Sequence, residues 1–213
     1  MNKFRIQVLC LIRLFSAALS SSADPQQLLT PQNYDQWQAR KFVGKTQYQW
    51  IDMDGPALRA VSKASASGMF LEREIDLHKT PYLHWQWRIE NTLDNQREQS
   101  REGDDYAARI YVIISGGIFF WRSRALNYVW SSSQPINSHW PNAFTEHAQM
   151  LAVRSGDELK NQWISERRDL RADLKRYLGK DIQQIDGLAI MTDTDNTGQS
   201  ATAYYRDVYF AAE

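Results

Sequence analysis

The stretch Tyr82–Ser115, YLHWQWRIENTLDNQREQSREGDDYAARIYVIIS, decides the fold. In its first run Leu83, Trp85, Trp87 and Ile89 alternate with His84, Gln86, Arg88 and Glu90, the period of two of a strand with one face buried and one wet. In its second run, from Tyr106 to Ser115, Arg109 is the single charge among Ala, Ile, Val and Tyr, which is too apolar for an exposed hairpin arm. The two runs are therefore expected as neighbours in the middle of a sheet. Asp104, Asp105 and Arg109 stand out because they are charges set against strands that pack.

Segments of the same kind follow one another along the chain, at Tyr48–Met53, Leu58–Lys63, Met69–Leu77, Leu126–Ser132, Phe144–Val153, Trp163–Arg168, Ile185–Thr192 and Ala201–Phe210. Turn residues such as Asp54-Gly55-Pro56 and Ser155-Gly156-Asp157 separate them. One helix is expected over Leu170–Leu178, with Leu170, Leu174, Tyr177 and Leu178 on one stripe, Asp169 at its start and Gly179 at its end. The fold class is all-β: an antiparallel sandwich of jelly-roll type with one short α-helix.

At the start, Lys3 and Arg5 precede an apolar run from Ile6 to Leu19 and then Ser21-Ser22-Ala23, the pattern of a signal peptide over residues 1–23. That run is shorter than the ~20 residues a bilayer span needs, so the mature chain is expected to carry no transmembrane segment and to be periplasmic or secreted. Residues 24–42, with Pro25 and Pro31, read as a leader, and 43–213 as the sandwich domain. The only cysteine, Cys10, lies in the signal, so the mature chain has no disulfide to rely on. The signal holds 3 of the 25 basic residues and no acid, leaving 22 bases against 25 acids. A net charge near minus three argues against a nucleic-acid partner.

The order of motifs resembles a known family: Ala64-Ser65-Ala66-Ser67-Gly68, Thr80-Pro81 leading to Trp85-Gln86-Trp87-Arg88, Gly103-Asp104-Asp105 before Arg109-Ile110-Tyr111-Val112, Tyr128-Val129-Trp130, Thr192-Asp193-Thr194-Asp195-Asn196-Thr197, and Asp207-Val208-Tyr209-Phe210. It is similar, over most of Phe42–Phe210, to the secreted bacterial family catalogued as domain of unknown function 3047. That resemblance implies no activity. More loosely, the layout is similar to carbohydrate-binding jelly rolls, in which a final aromatic strand and a nearby acid meet a sugar or a structural calcium ion.

Two uses compete for Asp104, Asp105 and Arg109. They form either a ligand site, with Tyr111 on the same strand face as Arg109, or an internal ion pair that fixes a loop to the sheet. Adjacent carboxylates on a strand point to opposite faces. Asp104 or Asp105 would thus need a distant partner such as Glu146 for acid–base work on a glycoside. Asp193-Thr194-Asp195-Asn196-Thr197-Gly198 mimics a calcium loop, but its twelfth position is Tyr204 and not the bidentate Glu of an EF-hand. Calcium remains an alternative use of Asp193, Asp195 and Asp207, next to a polar hairpin loop. The four histidines show no metal spacing.

Trp85 and Trp87 are expected in the core, whereas Trp121, Trp130 and Trp140 are the candidates for stacking on a sugar, with Arg88 as a polar companion. The first functional expectation is a non-catalytic, exported binding domain for a glycan or another polyhydroxylated cell-envelope ligand. A polysaccharide hydrolase or lyase and an envelope assembly protein are the alternatives.

Overall fold

The computed structural model describes residues 25–116 and 123–213; the expected signal peptide and Trp121 fall outside the described residues. Two sheets stack into a jelly-roll sandwich. One has six strands: β1 (Gln26–Gln27), β3 (Gln47–Asp52), β4 (Pro56–Lys63), β6 (Tyr82–Ile89), β11 (Ile164–Asp169) and β13 (Ser200–Ala211). The other has seven: β2 (Trp37–Val43), β5 (Ala66–Asp76), β7 (Ala108–Ile114), β8 (Arg124–Ser131), β9 (His139–Pro141), β10 (Ala148–Ser155) and β12 (Gln184–Asp193).

The alternation in the quoted stretch becomes the core. Trp85 and Trp87 meet edge to face at 5.4 Å, and Trp85 stacks on Tyr128 of β8 at 5.2 Å. Trp87 also donates its indole N–H to Glu166. Truncating one such buried indole to alanine costs about 3–5 kcal/mol, a large part of the stability of a domain without disulfides.

The two quoted runs are nevertheless not neighbours in one sheet. β6 pairs with β11 and β13, and β7 pairs with β8 and β12, so they lie in opposite layers. Residues 90–107, with a 3₁₀ turn at Arg101–Gly103, carry the chain across the ~10 Å between sheets. The second expectation that changes is the leader. Leu28, Leu29 and Trp37 are buried, β1 adds to β13 and β2 adds to β5, so residues 26–43 supply a strand to each sheet.

The helix α1 spans Leu170–Leu178 as the stripe predicts. Asp169 accepts from the Ala172 N–H at 3.0 Å, and Gly179 ends it at φ 69°, a left-handed cap that glycine adopts without strain. α1 closes one end of the core with Leu170 and Leu174. Pairing is antiparallel except between β8 and β10, which run parallel. Their crossover, residues 132–147, contains β9 and folds over the outer face of the seven-stranded sheet. There Tyr106, Val129, Trp140, Met150 and Ala152 form a second, smaller apolar cluster.

Candidate functional site

On β7, Ile110 and Val112 enter the core, which turns Arg109, Tyr111 and Ile113 to the outer face. On β12, Leu188 and Ile190 do the same for Met191 and Asp193. These side chains form the floor of a groove of about 810 Å³ that crosses the outer face of the seven-stranded sheet. Phe42 of β2 stands on one rim and Phe144 of the crossover on another; they are 63% and 54% exposed, whereas most other large apolar side chains are buried. Between them Phe70 packs near Tyr111 at 6.5 Å, with the Arg40 guanidinium 4.8 Å above the Phe70 ring. A second hollow, of about 490 Å³, adjoins it and shares Arg40, Phe70, Ile113 and Ser123.

The polar end of the groove is built around Arg109, which is 4% exposed. Its guanidinium lies between the rings of Tyr106 and Tyr111, at 5.3 and 5.0 Å. It donates to Asp193 at 2.5 Å and stands 3.8 Å from Asp104, whose other bond is accepted from Asn142 at 2.8 Å. Asp105 follows the 3₁₀ turn in irregular chain and reaches the 194–198 loop. Its two oxygens accept the backbone N–H groups of Asn196 at 3.3 Å and Thr197 at 2.6 Å, which ties the 194–198 loop to this place. Gly103 is required just before the pair, because a Cβ there would sit 2.3 Å from the Arg97 carbonyl oxygen.

The charges do not balance. Asp105, Asp193 and Asp195 bring a carboxylate oxygen each within 4.8 Å of one another, with Asp104 beside them and Arg109 as the nearby cation. Burial pushes the Asp193 carboxyl well above its ordinary value. Arg109 opposes that rise, while Asp105, Asp104 and Asp195 add to it. Burial raises Asp104 and Asp195 as well, the latter also through Asp105. Arg109 is drawn down by burial but held above its usual range by Asp193 and its other neighbours. Asp104 Oδ1 and Asp193 Oδ1 are buried and have no hydrogen-bond partner. Arg109 Nε and Nη1 are buried and unpartnered too, so this end of the groove offers both acceptors and guanidinium donors that the protein leaves unused.

The other expected site residues are scattered. Trp130 is fully buried in the main core, its indole N–H on the Gly156 carbonyl at 3.0 Å, and Trp140 is sealed in the smaller cluster, so neither stacks on a ligand. Arg88 lies on the other sheet, over Tyr204. There His84 stacks on Tyr209 and Arg206 on Trp163, so that face is filled by its own side chains. Glu146 is exposed in the loop before β10 and does not line the groove. Asp207 sits at φ 51° in a bulge of β13 on the six-stranded sheet, apart from Asp193 and Asp195; Asp105 is the acid that joins those two. Sequence reasoning missed Phe42, Phe70, Asn142 and Phe144. Their signal was faint: Phe42 stood in an apparent leader, and Phe144 was assigned to a strand.

A search of curated proteins finds no match. Among solved structures, the chain is similar to the family 30 carbohydrate-binding module of the cellulosomal cellulase Cel9D-Cel44B of Clostridium thermocellum. The TM-score is 0.50 at 10% identity, covering 89% of this chain and 93% of that one, a likeness of fold. No helix among the described residues is long and apolar enough to cross a membrane. The family model "Protein of unknown function (DUF3047)" matches residues 35–209, and the chain belongs to that family.

Proposed function

We propose that this protein is an exported, non-catalytic module that binds a glycan of the cell envelope in the groove of the seven-stranded sheet. The carrying observation is that exposed Phe42 and Phe144 flank a floor of Tyr111, Asn142 and buried charges. Aromatic faces take the apolar face of a sugar ring, and fixed acceptors and donors take its hydroxyls. The carbohydrate-binding module that shares the fold supports the reading. The pattern at residues 1–23 supports action in the periplasm or outside the cell, where such ligands are found.

Calorimetric titration with cell-wall and exopolysaccharide oligosaccharides tests it. Binding is expected, with affinity lowered at least tenfold by Phe144→Ala and stability changed by no more than about 0.5 kcal/mol, as for an exposed side chain. Silence across the panel at ~10 mM, where even a Kd of ~1 mM would give near-saturation, overturns it.

A further inference from the structure

We propose that Asp105, Asp193 and Asp195 hold a calcium ion at the acidic end of the groove. The three carboxylates come from two distant parts of the chain, and Asp105 fixes the 194–198 loop by accepting two of its backbone N–H groups. All three donors are oxygen, the ligand set of a hard cation. Oxygens on opposite sides of a calcium ion, each at 2.3–2.6 Å, stand roughly 5 Å apart, and these lie within 4.8 Å of one another.

A cluster of acids alone would carry no such assignment, because proteins hold many without an ion. The independent observation is Asp193. It is 1% exposed; its Oδ2 takes the Arg109 guanidinium, and its Oδ1 is sealed from water with no partner. An ionised oxygen in that position costs several kcal/mol unless something positive meets it. Arg109 meets Asp193 through Oδ2 and stands 3.8 Å from Asp104, so one guanidinium charge is set against four carboxylates at this end of the groove. A cation supplies the missing charge. It would also set the loop that carries Asn196 into the groove, and it stands whether or not the groove takes a sugar.

The test is titration of chelator-stripped protein with calcium chloride, read by calorimetry and by the thermal midpoint. One calcium per chain is expected, with a midpoint raised by roughly 5–10 °C at a hundredfold excess over Kd. Asp195→Asn is expected to weaken calcium binding at least tenfold, and Asp207→Asn to leave it unchanged. Terbium provides a readout that needs no variant: its emission, sensitised by Tyr106 and Tyr111, is expected to appear on binding and to be displaced by calcium. No heat and no midpoint shift at ~10 mM calcium, ten times the weakest Kd usual for extracellular calcium modules, overturns the site. So does an Asp195→Asn variant that responds to calcium as the parent does. Glycan titration in chelator keeps the two readings apart, because sugar binding without any calcium response removes the ion alone.

Discussion

Under α1, Arg168 grips Asp173 with two parallel hydrogen bonds of 2.8 Å, and Tyr128 donates to the same carboxylate at 2.8 Å. On the outer face of the seven-stranded sheet, Arg109 reaches Asp193 with one strong bond, stands off from Asp104, and leaves an oxygen of each carboxylate without a partner. Arg154 with Glu166 follows the first pattern, at 2.6 and 3.0 Å. One positive charge per carboxylate, with the donors of the fork used, is what a pair retained for architecture looks like. Surplus acid around a single guanidinium at the bottom of a groove is instead an arrangement completed by something from outside.

Removing each arginine breaks the comparison most directly. Arg109→Leu strands carboxylates that are almost wholly buried, and its expected cost is about 4–5 kcal/mol by urea unfolding of stripped protein. Arg168→Leu is expected to cost less, about 3 kcal/mol, because that guanidinium keeps 24% of its side chain in solvent. Calcium should recover part of the first loss and none of the second. Equal recovery in both would erase the distinction drawn between the two sites.

The pH profile sharpens it. Asp104 and Asp193 bind protons more tightly folded than unfolded, so they stabilise the native state below their ordinary value of 3.8, and that contribution is lost as pH rises through the raised folded values. Stripped protein is therefore expected to lose thermal stability as pH rises above 3.8. Glu98 and Glu166, also raised by burial, act with the same sign; His84, lowered by burial, acts against it. Saturating calcium should flatten the slope, since it competes with protons only at the groove. An unchanged slope would mean that the groove acids are not its source.

The smallest effect belongs to Asp207. Its carboxylate is 53% exposed beside Arg206 at 3.7 Å, and asparagine tolerates the left-handed φ, so Asp207→Asn should leave the thermal midpoint within about 1 °C. A larger shift would show that the β13 bulge depends on that charge.

Strand periodicity made the core readable: Trp85, Trp87 and the shared face of Arg109 and Tyr111 follow from alternation alone. What alternation does not contain is which strands share a layer. β6 and β7 read as neighbours in one sheet because a chain crossing between layers and one turning back within a layer are both polar and similar in length. β2 escaped for another reason. As an edge strand it keeps only Trp37 buried, so WQARKFV lacks the apolar beat of a strand. Trp130 and Trp140 are both buried where the sequence suggests open positions: Trp130 lies in the main core, and the smaller cluster that covers Trp140 forms only when the crossover folds back. The acidic centre was half legible. Asp193 and Asp195 lie two apart on one strand and its loop, but the approach of Asp105 depends on a pairing between segments far apart in sequence.

The parallel partnership of β8 and β10 also orders events in time. An antiparallel neighbour zips up from a tight bend, whereas these two strands meet only after residues 132–147 have been drawn around, a closure whose entropic cost precedes its reward. Asn142, Phe144 and His147 travel on that segment. That closure is nevertheless much shorter than those that bring β12 to β5 or β13 to β6, so this wall of the groove is expected to form before the two sheets are complete.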